Sequence, residues 1–441
     1  MRLAEQVKQA GIVGAGGAGF PTHVKMEARA EWFLANGAEC EPLLQKDREL
    51  MVHFSEEIIE GLSLAGESVG AVKCRVGIKS KNRDAIESIA KATRGTSIEI
   101  SEFGDFYPSG DEYEVVHQIT GKLIPPAGIP LDVGAVVNNV ETLYQIAQAH
   151  RGFPVTETFL TVNGAVQSPC TLKVPIGVSF REVIDLAGGA TIDDYAVMDS
   201  GLMMGRLAGD LSRPVTKTTA GLIVLPASHE LIERYQRPPE AQARIGKSAC
   251  DQCSFCTELC PRYLLGYDVQ PHAVMRSLGF SATGSDIWNK YAQLCCGCGI
   301  CTLYACPESL YPREACLDGI ASLRAAGQGK WEGPSQVRVH PMKEFRRVPM
   351  KLLIKKLGVS QYQVEAPFRD KVCSPESVSI PLKQHTGNPA VAVVTTGMPV
   401  EKGQLIGEIP DNQLGAHVHA SIAGTVTEVS DCIRIERNGN G

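Results

Sequence analysis

The chain has 441 residues, 44% of them hydrophobic and 21% charged, with 43 Lys and Arg against 49 Asp and Glu. A net charge of −6 argues against a nucleic-acid-binding surface, and the ordinary composition against a fibrous or wholly disordered chain. No apolar run reaches the roughly 18 residues of a membrane span, and the N-terminal segment lacks the apolar core of a signal peptide, so a soluble, cytoplasmic, multidomain protein is expected.

In chain order, residues 1–150 read as one α/β unit. Ala4 to Ala10 is a short helix and Gly11 to Gly19 a glycine-rich loop. Trp32 to Ala35 and Ala71 to Ile78 are strands. Phe54 to Gly61, Arg83 to Thr93 and Val140 to His150 have helical spacing of apolar residues. Residues 151–236 read as a small mixed sheet of β-grasp type. There Thr158 to Gly164 runs into an Asn-Gly turn that predicts a hairpin, Val178 to Leu186 is a helix, and Gly221 to Leu225 is a buried strand. A cysteine-rich module spans 240–326. Residues 327–375 read as a linker carrying a basic amphipathic helix over 342–357, with Lys343, Arg346, Arg347, Lys351, Lys355 and Lys356 around Leu352, Leu353 and Leu357. Residues 376–437 are β-rich.

The cysteines carry the clearest chemistry. Of 15, nine lie between Cys250 and Cys306, and in a reducing compartment that density points to metal rather than disulfides. Cys250, Cys253, Cys256 and Cys260, followed by Pro261, have the spacing of a bacterial ferredoxin motif. Cys295, Cys298, Cys301 and Cys306, followed by Pro307, repeat it with one extra residue before the last cysteine. Such paired motifs exchange their fourth ligands. One [4Fe–4S] cluster is therefore expected on Cys250, Cys253, Cys256 and Cys306, and a second on Cys295, Cys298, Cys301 and Cys260. Cys296 is an alternative to Cys295, and a pair of structural zinc sites is the alternative to clusters.

Gly14-Ala-Gly16-Gly17-Ala-Gly19 matches GxGxxG, and Glu39 follows at the distance of a ribose-binding acid. The preceding segment is helical rather than a strand, which disfavours a dinucleotide fold. Bare backbone N–H groups in such a loop still cradle a phosphate or admit a flat ring.

The motif Gly14-Ala-Gly-Gly-Ala-Gly-Phe-Pro-Thr22 with Lys25 resembles the flavin loop of the NADH-binding, FMN-carrying subunit of respiratory complex I. Asn36-Gly-Ala-Glu39-Cys-Glu41-Pro42, Tyr107-Pro-Ser-Gly110-Asp111-Glu112 and Asn138-Asn139-Val-Glu141-Thr142 resemble its next three motifs, with departures at Ala15 and Asp111. The resemblance implies that Gly14, Gly16 and Lys25 lie around FMN and its phosphate. It implies that Asn36, Asn138, Asn139 and Thr142 hydrogen-bond the ring, ribityl and phosphate groups. Tyr107, Gly110, Asp111 and Glu112 would line the nicotinamide pocket, and Glu39 and Glu41 would contact flavin or NADH hydroxyls.

The later segments resemble the RnfC component of the Rnf electron-transport complex. They include a soluble-ligand-binding β-grasp domain and a barrel-sandwich hybrid domain matching Gly387-Asn-Pro-Ala-Val, Gly403-Gln-Leu-Ile-Gly and His419-Ala-Ser-Ile-Ala-Gly-Thr-Val426. With that barrel at the C-terminus, the whole chain resembles the cobalamin reductases of propanediol-utilisation microcompartments. The resemblance implies electron flow from NADH through FMN and two [4Fe–4S] clusters to cobalamin, with no side chain acting as a catalytic nucleophile or acid. It also implies cobalamin or a corrinoid-processing enzyme as partner, contacts to shell or cargo proteins, and a place inside a bacterial microcompartment serving a B12-dependent diol dehydratase. The alternatives are an RnfC-like electron-transfer component and an NADH-linked carrier with a protein acceptor.

Overall fold

The computed structural model describes residues 1–279 and 288–438. The first segment holds strands β1 (Trp32–Gly37), β2 (Lys73–Lys79), β3 (Glu99–Phe103), β4 (Phe106–Tyr107) and β5 (Ala135–Asn139). Its helices are α1 (Leu3–Gln9), α2 (Thr22–Met26), α3 (Lys46–His53), α4 (Ser55–Val69), α5 (Arg83–Ala92), α6 (Glu112–Thr120) and α7 (Val140–His150). Four strands form a parallel sheet in the order β3-β2-β1-β5. The chain builds outward from β1 through β2 and β3, then returns to lay β5 on the other side of β1. The carboxyl ends of β1 and β5 are thus a topological switch point, where open α/β sheets bind ligands. Asn36 stands opposite Asn139 there, and Ala35 opposite Asn138. Gly61 permits the close approach of α4 to α7, since a Cβ on it would lie 1.9 Å from the Leu143 carbonyl oxygen.

The second segment is a six-stranded mixed sheet. It contains β6 (Glu157–Gly164), β7 (Cys170–Pro175), β8 (Tyr195–Asp199), β9 (Arg206–Ala208) and β10 (Gly221–Pro226). A helix, Phe180–Leu186, packs on it and starts at a capping box made by Ser179 and Glu182. β6 and β7 do form an antiparallel pair, but Asn163-Gly164 is not its turn. Asn163 is buried and its Nδ2 donates to the Leu43 carbonyl at 3.0 Å. Gly164 has φ +92°, and a Cβ there would lie 2.0 Å from the Val224 carbonyl oxygen. The pair is glycine-bearing because the backbone of β10 crosses it closely, and the chain reverses later, through residues 165–169.

The cysteine-rich module is built from short helices. Pro239–Ala249, Pro261–Leu264, Pro271–Ser277 and Pro312–Ala325 each open with proline, whose missing N–H is one a first helical turn leaves unpaired anyway.

Residues 327–375 differ from the expected linker. The helix is confined to Met350–Lys356, with Met350, Leu353 and Ile354 buried. Lys343 precedes it and is itself buried, its Nζ donating to Glu114 Oε1 at 2.7 Å. Strand β11 (Val348–Pro349) pairs with β4, and β12 (Phe368–Arg369) adds to the second sheet beside β7. The segment straps three parts of the molecule together.

The C-terminal barrel comprises β13 (Ser377–Pro381), β14 (Val391–Ala392), β15 (Pro399–Val400), β16 (Leu405–Glu408), β17 (Val418–His419), β18 (Gly424–Val429) and β19 (Cys432–Glu436). Its Val378, Ile406, Val426 and Ile435 belong to the same continuous apolar cluster as Phe33, Val76 and Leu143 of the first segment. Lys217 fastens the joint. Its buried Nζ donates to the carbonyls of Gly11 and His417, both at 2.7 Å.

Candidate functional site

The glycine loop lies over the carboxyl ends of β1 and β5. Gly14 N–H donates to the Phe20 carbonyl and Gly19 N–H to the Gly14 carbonyl, closing the loop on itself. Thr142 is fully buried, and its Oγ1 accepts the Ala15 N–H at 3.0 Å, so it anchors the loop from beneath. Asn139 caps α7 by accepting the Glu141 N–H and donates to Asp47 Oδ2 at 2.7 Å. Asn36 donates to the Gly110 carbonyl at 2.9 Å and accepts the Ala38 N–H. Lys25 donates to the Val137 carbonyl at 2.7 Å and lies 3.7 Å from Glu112. Burial holds the Glu112 carboxyl above the usual carboxylate range. Burial, with Asp47 alongside, pushes Glu39 well up, and its Oε2 accepts the Asp47 N–H.

Two observations fit this cradle to a flavin. Asn138 is buried, and its Nδ2 has no hydrogen-bond partner, an amide that a ligand would satisfy. A Cβ at Gly14 or Gly16 would meet only ordinary contacts at 3.7 and 3.5 Å. Packing within the protein does not demand glycine at these positions. What glycine leaves is a bare backbone face.

In the third motif Glu112 reaches the cradle at Lys25 and the Gly110 carbonyl accepts from Asn36, while Tyr107 and Asp111 make contacts behind it. Tyr107 is buried in the core shared with the second sheet and the cysteine module, and its hydroxyl donates to the Cys298 carbonyl at 2.7 Å. Gly110 is fitted against β1's continuation, where a Cβ would lie 2.8 Å from the Ala38 carbonyl oxygen. Asp111 caps α6 through Oδ1 and pairs through Oδ2 with Arg262 Nη2 at 2.9 Å. Arg262 also stacks 3.5 Å over the Tyr113 ring. Glu41 likewise turns away from the cradle. Its carboxylate accepts the N–H groups of Met203 and Met204 at 2.9 and 2.8 Å, and burial pushes its pKa up to about 7. The Met203 carbonyl in turn accepts a hydrogen bond from Arg313 Nη1 at 2.6 Å. Tyr107 and Asp111 join the flavin segment to the cysteine module, and Glu41 joins it to the loop after β8.

The thiols gather in two sets. Around Cys256, pushed up to about 12 by burial, stand Cys306, Cys250 and Cys253. Around Cys260, raised by burial, stands Cys295 with Cys296, and around Cys301, also raised by burial, stand Cys295 and Cys260. Cys260, Cys295, Cys296, Cys298 and Cys301 line one small cavity with Arg313. The fourth cysteine of each motif thus sits with the other motif's first three. Cys296 points to Cys298 and Arg262, and Cys295 to Cys316. Among the described residues, no three His, Cys, Asp or Glu side chains are grouped to hold a single metal ion.

Sequence reasoning missed Lys46 and the role of Glu141. Lys46 is buried under the glycine loop, 2.5 Å from Glu141 Oε2 and 3.4 Å from Asp47 Oδ1. Burial lowers its pKa, but Glu141 and Asp47 outweigh that and raise it. Asn139 reaches Asp47, so the loop, α3 and α7 share one buried charged network. The run Lys46-Asp47-Arg48-Glu49 looks like a solvated helix start, and nothing local marks it as interior.

Residues 7–148 match the Nuo51 FMN-binding domain, 159–207 the SLBB domain, 249–311 the 4Fe-4S dicluster domain and 364–440 the RnfC barrel sandwich hybrid domain. The chain is therefore an electron-transfer oxidoreductase with a flavin domain and a two-cluster domain. It is 37% identical over 270 residues to a component of the Na(+)-translocating ferredoxin:NAD(+) oxidoreductase complex of Acetobacterium woodii, covering 59% of this chain and 58% of that protein. It is 41% identical over 430 residues to cobalamin reductase PduS of Citrobacter freundii. It is 43% identical over 430 residues to cobalamin reductase PduS of Salmonella typhimurium, covering 97% of this chain and 95% of that protein. With the cradle, the paired thiol sets and the C-terminal barrel all in place along that length, the chain belongs to the PduS cobalamin reductase family.

Proposed function

We propose that the protein oxidises NADH and delivers the electrons singly to the cobalt of cobalamin, reducing cob(III)alamin and cob(II)alamin. Gly14, Gly16, Lys25 and Asn138 hold FMN. Cys250, Cys253, Cys256 and Cys306 hold one [4Fe–4S] cluster, and Cys260, Cys295, Cys298 and Cys301 the other. Bound flavin and clusters supply the conversion of a two-electron donor into one-electron carriers. The protein's residues bind, space and desolvate these groups, and no side chain acts as nucleophile or general acid. The observation that carries this reading is 43% identity to a cobalamin reductase over 97% of the chain. In the cell it serves a B12-dependent diol dehydratase or another corrinoid-processing enzyme in a bacterial microcompartment of the cytoplasm, beside shell or cargo proteins. Among the described residues no helix is long and apolar enough to cross a membrane.

The test is anaerobic purification, flavin and iron analysis, then addition of NADH and cob(III)alamin in turn. About one FMN and eight irons per chain, bleached by NADH and reoxidised by the corrin, support the reading. Bleaching without corrin reduction favours a protein acceptor, the reading suggested by the 270-residue likeness to a component of an ion-translocating complex.

A further inference from the structure

The two thiol sets differ in their surroundings. Cys260, Cys298 and Cys301 are 6, 7 and 7% exposed, and Cys295 is half-buried. Their set is tied to the flavin segment by two direct contacts and one indirect one: Tyr107 bonds the Cys298 carbonyl, Arg262, two residues after Cys260, pairs with Asp111, and Arg313 reaches the carbonyl of Met203, whose N–H donates to Glu41. In the other set Cys256 is buried, Cys250 and Cys306 are half-buried and Cys253 is exposed. The neighbouring Phe255 ring is 50% exposed on the one-turn helix that carries Cys256. Glu258 of that helix pairs with Arg346 at 3.2 Å, and Phe345, beside that arginine, is 80% exposed.

We propose that the two sites are ordered: the Cys260, Cys295, Cys298, Cys301 site receives electrons from the flavin side, and the Cys250, Cys253, Cys256, Cys306 site is the exit, delivering them to the corrinoid at the face of Cys253 and Phe255. This rests on the function proposed above. Each transfer oxidises the exit centre by one electron and reduces cobalt(III) to cobalt(II). Two transfers balance the oxidation of one NADH to NAD⁺ and a proton. The exposed rings of Phe255 and Phe345 suit a flat, largely apolar macrocycle.

The first test is Cys253→Ser, purified anaerobically and read by iron content, electron paramagnetic resonance and cob(III)alamin reduction. The expected protein has about four irons per chain, and NADH still reduces its remaining cluster. Its corrin reduction falls by about tenfold or more, roughly 1.4 kcal/mol or more in the barrier. A remaining cluster that NADH no longer reduces overturns the order of the two sites. Corrin reduction at the parent rate overturns the exit. Absence of corrin reduction in the parent protein defeats the proposed function instead, while the NADH readout still decides the order. Phe255→Asp leaves every cysteine in place, which covers the case in which Cys253→Ser loses both clusters. Full iron and unchanged NADH bleaching with several-fold slower corrin reduction are expected, and an unchanged corrin rate overturns the exit face.

Discussion

The phenol of Tyr107 donates its hydrogen bond to the carbonyl oxygen of Cys298 at 2.7 Å, across 191 residues of sequence. Both groups are buried, so the bond ties the end of the flavin segment to the cysteine loop without solvent between them. Tyr107→Phe leaves that carbonyl unpaired and should cost about 1–3 kcal/mol. It should also slow NADH-driven bleaching of the clusters while leaving dithionite reduction intact. A chemical unfolding series and anaerobic stopped-flow absorbance read the two effects.

The Asp111–Arg262 pair spans the same joint with both side chains largely enclosed. Removing one partner strands the other charge, at about 3–5 kcal/mol. Asp111→Asn and Arg262→Gln should each destabilise strongly, and the double variant by much less than their sum. A double-mutant cycle on the unfolding midpoint measures that coupling.

Two desolvated groups set opposite pH trends. Glu41 is raised from 4.5 to about 7 by burial, so between those values the folded state holds a proton that the unfolded state has lost, and stability falls as pH rises. Lys217 is lowered from 10.5 to about 7 by burial. Between about 7 and 10.5 the unfolded state binds the extra proton, and stability rises with pH. Each slope is at most about 1.4 kcal/mol per pH unit. Glu41→Gln should flatten the acid limb alone and Lys217→Met the alkaline limb alone, in unfolding midpoints followed across pH.

Asn138 carries a buried amide Nδ2 without a partner. In flavin-free protein Asn138→Ala should change stability by less than about 1 kcal/mol, because no protein hydrogen bond to that atom is lost. FMN affinity should fall by about tenfold, the value of one hydrogen bond of about 1.4 kcal/mol. Fluorescence titration of the stripped protein with FMN checks both the loss and its specificity.

Much of the site is legible because its determinants are local. The glycine loop, the cysteine spacing and the cap residue Asn139 each act within a few positions, and α7 begins where its cap places it. What the sequence hides is long-range. Asn163-Gly164 has the composition of a hairpin turn, yet its shape is set by β10. Lys343 reads as one charge in a basic helix, but Glu114, 229 residues away, takes it inside. Glu41 and Tyr107 look like pocket residues, yet Glu41 accepts from the loop after β8 and Tyr107 bonds the cysteine module, because segments far apart in sequence meet behind the cradle. Lys46 looks solvated until Glu141 is folded over it.

The apolar cluster that unites the flavin sheet with the C-terminal barrel has a consequence for biosynthesis. Ribosomes deliver the chain from its N-terminus, so Phe33 and Leu143 emerge long before Ile433 and Ile435, with which they share a core. The cysteine loops lie between these in the sequence and leave the exit tunnel while that core is still open. Metallocentre assembly can therefore begin on a nascent chain whose first segment is unfinished, and the last strands to be translated complete the core that the first segment began.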